Sequence, residues 1–377
     1  MSRGRAEQLD VLVIGGGPAG GIAGMLCARM GLHTMVVERC ALPRGKVCGC
    51  CLTAAGVATL QEAGAGHVIA DARRVTRMRL CSGRRSAAFA MPTYRVLSRE
   101  DLDMRLWQLA QRSSAATLDA TSATVHEDGT ATLQRGERVW RVAPGCVIAA
   151  DGIGGTSLRD RAAFAWEVEE ASHMGLGVTL AQAPLAMSND ELTMIVTDDG
   201  YAGLVMLPDG RVDVAAAASP ASVRAAGGAA AWLTQVLAAH GADTSGVRST
   251  KVHGTPLLTR RRSHVASGNV LLVGDAAGYV EPFTGEGMTW ALRTGVEVVA
   301  FARRMVAAKG ERQTEVAQSW AARWNELMAP RHASCSQVAR CLRMRWMREA
   351  SVMLAALAPA AGSLVARHVL ASREVAA

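Results

Sequence analysis

At 377 residues, with 41 Lys and Arg against 33 Asp and Glu and a formal charge of +8, the chain is too long for a small disulfide-stapled module and long enough for two lobes. Half of its residues are hydrophobic and 20% are charged, which excludes a disordered chain. Aromatic residues make up only 4% and the bases are diluted by acids along the whole length, so no stacking platform for nucleic acid is expected.

The nine cysteines are an odd number and irregularly spread, unlike a secreted disulfide framework, and fit a reducing cytoplasm. No export signal precedes the first glycine cluster. The longest uncharged C-terminal run, Ala350 to Ala366, holds Pro359 and Gly362 and is shorter than the ~20 residues of a spanning helix.

Val11-Leu-Val-Ile14 reads as a buried parallel strand, Gly21 to Met30 as a helix, and Thr34 to Glu38 as the next strand, together a βαβ unit. Short strands alternate with breaks from 75 to 96, and Ser98-Arg-Glu-Asp101 opens a helix with a capping-box pattern. Residues 130–142 suggest a hairpin, and Cys146 to Ala150 a strand returning to the parallel sheet. From 165 to 260 the chain reads as antiparallel strands (Gly175 to Leu180, Leu192 to Val196, Tyr201 to Leu207, Arg211 to Ala216) with one helix near 221–239. Asn269 to Val273 is again a buried strand, Gly287 to Val306 a helix, and about 311–370 is helical.

Between the first strand and helix lies Gly15-Gly-Gly17-Pro18-Ala19-Gly20, with Glu38 and Arg39 at the end of the second strand. Gly15 permits a tight turn, Gly17 lets the backbone approach a pyrophosphate, Gly20 allows close helix packing, and the helix N-terminus presents free N–H groups. Glu38 stands where an acid can accept ribose hydroxyls, so this segment reads as a dinucleotide site.

Read in order, that turn, Glu38, the loop Pro43-Arg44-Gly-Lys46-Val-Cys48-Gly49-Cys-Cys-Leu52, Asp151-Gly152 and Gly274-Asp275-Ala-Ala-Gly278 resemble the geranylgeranyl-reductase-related branch of the FAD-dependent aromatic hydroxylase superfamily, whose fold is that of p-hydroxybenzoate hydroxylase. In that branch the loop reads Pro-Arg-x-Lys-x-Cys-Gly-Gly-Gly-Leu; Cys50 and Cys51 depart from it. The resemblance implies an α/β protein with a Rossmann-like FAD-binding domain on a parallel sheet (1–75, 97–160 and 262–310), an inserted antiparallel substrate domain (76–96 and 161–261) and a helical C-terminal region (311–377). It also implies that Arg44, Lys46, Cys48 and Gly49 run beside the FAD, that Arg99 reaches its nucleotide, and that Asp151 and Asp275 accept hydroxyls. Pro282, Gly285, Gly287 and Met288 match the segment beside the flavin ring. NAD(P)H would dock transiently as reductant.

Cys48 and Cys51 form a C-x-x-C, but no second glycine fingerprint follows a strand between 100 and 300, so a packing role is favoured over a redox dithiol, with Cys48 alone as a flavin-side thiol. Neither these cysteines nor the scattered histidines have the spacing of a metal site. Tyr201, Leu204, Met206 and Pro208 fall where polyprenyl reductases of the family carry Tyr-x-Trp-x-Phe-Pro, and the Trp and Phe are lacking; strand packing is the competing reading for Leu204 to Leu207. The leading expectation is therefore an NAD(P)H-driven monooxygenase acting on a bulky hydrophobic or aromatic metabolite. The alternatives are a C=C reductase of the geranylgeranyl reductase type, with Cys48 giving the proton, and a non-catalytic FAD-binding protein. Arg331 to Arg348, with five arginines and no acid, reads as a packed helix with a solvated face; peripheral contact with anionic lipid is the second reading.

Overall fold

A computed structural model of the protein describes residues 7–281 and 283–370. Strand β1 (Glu7–Ile14) is buried from Val11 on, as a strand between two helical layers must be. Helix α1 (Pro18–Arg29) begins on Pro18, whose missing N–H costs nothing in a first turn. Strand β2 (Thr34–Val37) pairs in parallel with β1, Val11 opposite Thr34. The chain continues through β3 (Cys51–Leu52), α2 (Ala54–Glu62), a hairpin of β4 (Arg73–Ser82) and β5 (Arg85–Val96), and α3 (Arg99–Arg112). Ser98 caps α3 as its sequence predicts, its hydroxyl accepting the Asp101 N–H at 3.0 Å.

Strands β6 (Ala116–Leu118), β7 (Ser122–Val125), β8 (Ala131–Arg135) and β9 (Arg138–Ala149) join β1 and β2 in the first sheet. The expected hairpin and returning strand share one element: the outer half of β9 pairs antiparallel with β8, and from Val142 on it pairs in parallel with β1. After β10 (Trp166–Val168) come β11 (Met174–Leu180), β12 (Glu191–Val196), β13 (Gly200–Met206) and β14 (Val212–Ala218). The helix expected near 221–239 is two, α4 (Pro220–Ala225) and α5 (Ala229–Ala238), because Gly227 and Gly228 both take left-handed φ values of 91° and 120°. Helix α6 (Ser245–Ser249) leads to β15 (His253–Leu257), β16 (Arg260–Arg262), β17 (Ala266–Ser267), β18 (Val270–Leu272) and β19 (Gly278–Tyr279). The chain ends in α7 (Gly287–Ala307), α8 (Glu311–Arg343), α9 (Arg345–Leu357) and α10 (Pro359–Leu370).

The first sheet runs β17-β18-β9-β1-β2-β6, with its core strands parallel and buried under α1, α3 and α7. The second runs β15-β11-β14-β13-β12-β4-β5-β3. It is antiparallel as expected except for one pair, β4 with β12, which run parallel. No hairpin turn joins those two strands, so nothing local forces them antiparallel. One face of this sheet carries Leu176, Val178, Leu204 and Val214 against Trp232 and Leu233 of α5. The other face carries Met78, Tyr94, Leu192, Met194 and Val205, and looks toward the ends of β1, β9 and β18. No helix among the described residues is long and apolar enough to cross a membrane.

Candidate active site

A single cavity runs from the glycine turn after β1 to the inner face of the second sheet. At its nucleotide end, Gly15 sits at φ +112°, and a Cβ there would lie 2.3 Å from the Ala150 carbonyl oxygen. A Cβ on Gly20 would lie 1.8 Å from the Gly15 oxygen, so Gly20 backs the turn from outside the cavity. Gly17 differs: its nearest neighbours in that direction are the guanidinium nitrogens of Arg99 and Arg44, at 3.4 and 3.8 Å, and the space between belongs to the cavity. Pro18 and Ala19 line the same wall, and α1 has no side-chain cap, leaving its first N–H groups for a ligand.

Both arginines are held by one carboxylate. Asp103, fully buried on α3, takes a two-pronged bond from Arg99 at 3.0 and 2.8 Å and a contact from Arg44 at 3.3 Å. Burial opposes the Arg99 charge, but Asp103 and Cys48 raise its pKa above the ordinary arginine value. Arg44 also bonds Glu38 at 2.9 Å. The Glu38 carboxylate accepts the N–H groups of Gly16 and Cys40, each at 3.0 Å, so it is pinned at the cavity wall. Burial alone would raise its pKa; Arg44 and the two N–H groups outweigh that and hold it below the usual range. Arg39 lines the wall and donates to the Gly154 carbonyl at 3.2 Å.

Further along, Asp151 accepts the Ser157 N–H at 3.1 Å through Oδ2, while its buried Oδ1 has no partner. Gly152 faces the Lys46 ammonium, and Lys46 and Asp275 oppose each other across the cavity. Burial pushes the Lys46 pKa down and the Asp275 pKa up, and each resists the shift of the other. Gly274, at φ +54°, lies behind Asp275 against Ala19 and Ala291 rather than in the cavity. Gly285, Gly287 and Met288 line the cavity; Pro282 lies outside the described residues. Two fixed guanidiniums and free helix N–H groups suit a pyrophosphate, and the unpaired Asp151 oxygen suits a hydroxyl, so the residues present fit FAD.

Cys48 and Gly49 line the middle of the cavity. The partner of Cys48 is Cys50, not the Cys51 of the C-x-x-C spacing. Cys50 takes a left-handed φ of 53° and donates its thiol to Cys48; against the opposing effect of burial, that bond and the Arg99 guanidinium lower the Cys48 pKa to about 6. Behind them Asp213 of β14 lies close to Cys50 and Thr179 with its Oδ2 buried and unpartnered, and burial raises its pKa well above the carboxylate range. Cys51 on β3 also borders the cavity, in the apolar cluster of the chamber walls, where burial pushes its thiol up.

Beyond this lies an apolar chamber of Met78, Tyr94, Leu192, Met194, Val205 and Phe283. Tyr201 lines it, its ring edge-on to Phe283 at 4.9 Å. Of the expected substrate residues, Leu204, Met206 and Pro208 are not among its walls. Side chains alternate across a strand, so with Tyr201, Gly203 and Val205 facing the chamber, Leu204 is turned onto α5. Pro208 sits beyond the strand, its carbonyl accepting from Arg73 at 3.4 Å.

Sequence reasoning did not find Asp103, although its i,i+4 spacing from Arg99 on a helix signals the pair. It also missed Asp213 and Cys50, which 163 residues of chain separate, and the chamber residues Met78, Tyr94 and Met194, which read as ordinary strand hydrophobics.

Residues 8–312 match the family model for the FAD binding domain. The chain is 30% identical over 313 residues to a menaquinone reductase of Mycobacterium tuberculosis, spanning 77% of this chain and 75% of that protein. It is 27% identical over 315 residues to the chloroplastic geranylgeranyl diphosphate reductase of Arabidopsis thaliana, across 77% of this chain and 64% of that protein. The crystal structure of a geranylgeranyl bacteriochlorophyll reductase-like protein from Thermoplasma acidophilum shares the fold, with a TM-score of 0.73 at 18% identity over 98% of this chain and 97% of that one. With the glycine turn, the paired arginines and Asp151 in the matched region, the chain belongs to the FAD-binding-domain family, in its geranylgeranyl-reductase-related branch, and is an FAD-dependent oxidoreductase.

Proposed function

We propose that the protein reduces a carbon–carbon double bond of a bulky, largely hydrocarbon substrate, using FAD that NAD(P)H reduces by transient docking. The observation that carries this reading is the place of Cys48, a thiol on the cavity wall beside an apolar chamber, backed by Cys50 and the buried Asp213. Reduced FAD, when bound, supplies a hydride; a double bond that accepts one needs a proton in the same event. Cys48, with a pKa of about 6, is mostly thiolate at neutral pH and gives a proton from its minor thiol form. The bond to Cys48 and burial keep Cys50 protonated, and burial keeps Asp213 protonated behind it.

The chamber supports a substrate without charge. Its walls are methionine, leucine, valine and aromatic side chains, and Gly203 and Val205 keep the β13 side open to a wide ligand. The curated relatives are named as reductases, which supports placing reduction ahead of the hydroxylation that the altered Tyr201 segment suggests.

Anaerobic single turnover of the reduced protein with a polyprenyl quinone and a polyprenyl diphosphate tests the reading. The expected product is two hydrogens heavier and forms without air. A product that appears only with oxygen and carries one oxygen atom from labelled O2 identifies a monooxygenase instead.

A further inference from the structure

The arginines that mark residues 331–348 in the sequence do not form a free basic face. Arg331 lies 3.7 Å from Glu286, Arg343 pairs with Glu281 at 2.8 Å, and Arg348 is buried, donating to Ser82 Oγ and the Thr197 carbonyl at 3.0 Å each and pairing with Asp198. Helix α8 ends at Arg343, and α9 and α10 beyond it carry an unusual surface.

Helix α9 has an inner face and an exposed apolar one. Arg348, Val352 and Ala355 face inward. On the other side Trp346, Ala350, Met353, Leu354 and Leu357 recur at the i, i+4, i+7, i+8, i+11 spacing of one helical stripe, and all are exposed, Trp346 by 70% and Leu357 by 79%. Helix α10 extends the stripe with Leu364, 69% exposed, and Val365. Most of the large hydrophobic side chains that the described residues expose therefore lie in one stretch of 22 residues, 344–365. Scattered exposed apolar residues need no cause, but a contiguous stripe on two adjoining helices marks a docking surface.

We propose that the α9–α10 hairpin seats the protein on an anionic bilayer, its apolar stripe among the acyl chains and its cations at the headgroups. The charge around the stripe suits that partner. Within 344–370 Arg345 pairs with Glu349 at 2.9 Å and Arg348 with Asp198, which leaves Arg367 without an acid in that stretch to balance it. The exposed pair Arg84 and Arg85 stands at the β4–β5 turn, beside the Ser82 that anchors Arg348, and Arg85 adds to the Arg345 bond in lowering the Glu349 pKa. An exposed tryptophan beside an exposed arginine, Arg345-Trp346, suits a membrane interface. A second copy docking through the same face would bring two such basic rims together, which disfavours it.

The inner side of the hairpin supports the same conclusion. Val352, Ala355, Ala366 and Leu370 pack with Phe89 and Met91 in the apolar cluster that also holds Met78, Tyr94, Leu192 and Met194, the chamber walls. Gly362 allows this approach, since a Cβ there would lie 3.1 Å from Ala355 and 3.2 Å from the Phe89 ring. The bilayer surface and the chamber thus adjoin the two sides of one helical layer.

Vesicle flotation of the full chain tests the docking without reference to its chemistry. Wild type should float with phosphatidylcholine vesicles that contain phosphatidylglycerol, and at least tenfold less with phosphatidylcholine alone. Leu354→Glu/Leu357→Glu/Leu364→Glu should bind the anionic vesicles at least tenfold more weakly, and Arg84→Glu/Arg85→Glu should bind more weakly with a flatter salt dependence; both should keep wild-type FAD content and far-UV spectra. Wild type that stays unbound with anionic vesicles, or a triple variant that floats as well as wild type, overturns the proposal. So does a dimer in light scattering that the triple variant dissociates while neither protein floats, which makes the face a self-association surface. None of these readouts depends on whether the protein reduces a double bond.

Discussion

Cys50 gives its thiol hydrogen to Cys48, two residues earlier in the same loop, so that the cavity-facing sulfur carries the lower pKa and the buried one the higher. The backbone makes this possible: Cys50 at φ 53° folds the loop back, a conformation that the glycine at this place in the family loop adopts freely and a cysteine adopts at a cost.

The first prediction is that Cys48 alkylates as a thiolate down to about pH 6, whereas Cys50→Ala returns it toward the ordinary thiol value near 8.5. Iodoacetamide labelling against pH, with peptide mapping to separate the nine cysteines, reads this directly. A Cys48 profile that is ordinary in wild type and unmoved by the substitution would remove Cys48 from the proposed chemistry.

The glycine turn offers a contrast between two alanine substitutions. Gly15→Ala combines a left-handed φ with a 2.3 Å clash on backbone and should cost about 3 kcal/mol of stability, visible as a lower melting temperature of the flavin-free protein. Gly17→Ala meets only guanidinium tips at 3.4 Å and should melt within about 0.5 kcal/mol of wild type, yet bind FAD at least about tenfold more weakly because its methyl occupies the pyrophosphate space. FAD titration and melting curves of the two variants check the pair; equal FAD affinity for Gly17→Ala and wild type would place the phosphates elsewhere.

His332 gives a pH prediction. It stands edge-on to Trp290 and Trp324 at 5.2 and 5.7 Å, with Nε2 unpaired, and burial lowers its pKa from 6.5 to about 4. The unfolded chain therefore takes up the proton first as pH falls, so stability is full above about 6.5 and declines toward pH 4, by on the order of 2 kcal/mol from this group. Chemical denaturation of wild type and His332→Phe across that range should show the loss in wild type and a flatter profile in the variant. Parallel profiles would mean that His332 takes up its proton alike in the folded and unfolded chains, and would remove the burial effect.

What the sequence made legible is what the backbone demands locally. The Gly15 turn, the buried β1 run and the Ser98 cap each depend on neighbours within a few residues, and each stands as expected. Relationships that the fold creates between distant residues were hidden. Asp103 reads as one more acid on an amphipathic helix until Arg44 arrives from 59 residues away, and Asp213 reads as a strand-edge polar residue until the Cys48 loop lies against it. Arg331, Arg343 and Arg348 look like a solvated basic face because their partners Glu286, Glu281 and Asp198 lie far away in sequence. The expected Leu204 contact failed for a simpler reason, since a strand's period of two makes an error of one residue an error of face.

That alternation supplies the last prediction. Leu204 is fully buried against Trp232 and Leu233 of α5, away from the cavity, while Val205 is a wall of the chamber. Leu204→Ala should cost about 2–5 kcal/mol of stability through the space it leaves under α5, and the surviving folded protein should keep its FAD affinity and its KM for a hydrocarbon substrate. Val205→Phe also carries a stability cost, about 1–3 kcal/mol, because Val205 is packed in the chamber wall, but its ring narrows the chamber: the rate of FAD reduction by NAD(P)H is unaltered, and KM for a bulky substrate rises several-fold. The measurement is a comparison of both variants in one series of denaturation curves, flavin-reduction rates and steady-state kinetics. If Leu204→Ala alters KM while Val205→Phe only destabilises, the strand faces are exchanged and the chamber lies on the α5 side of the sheet.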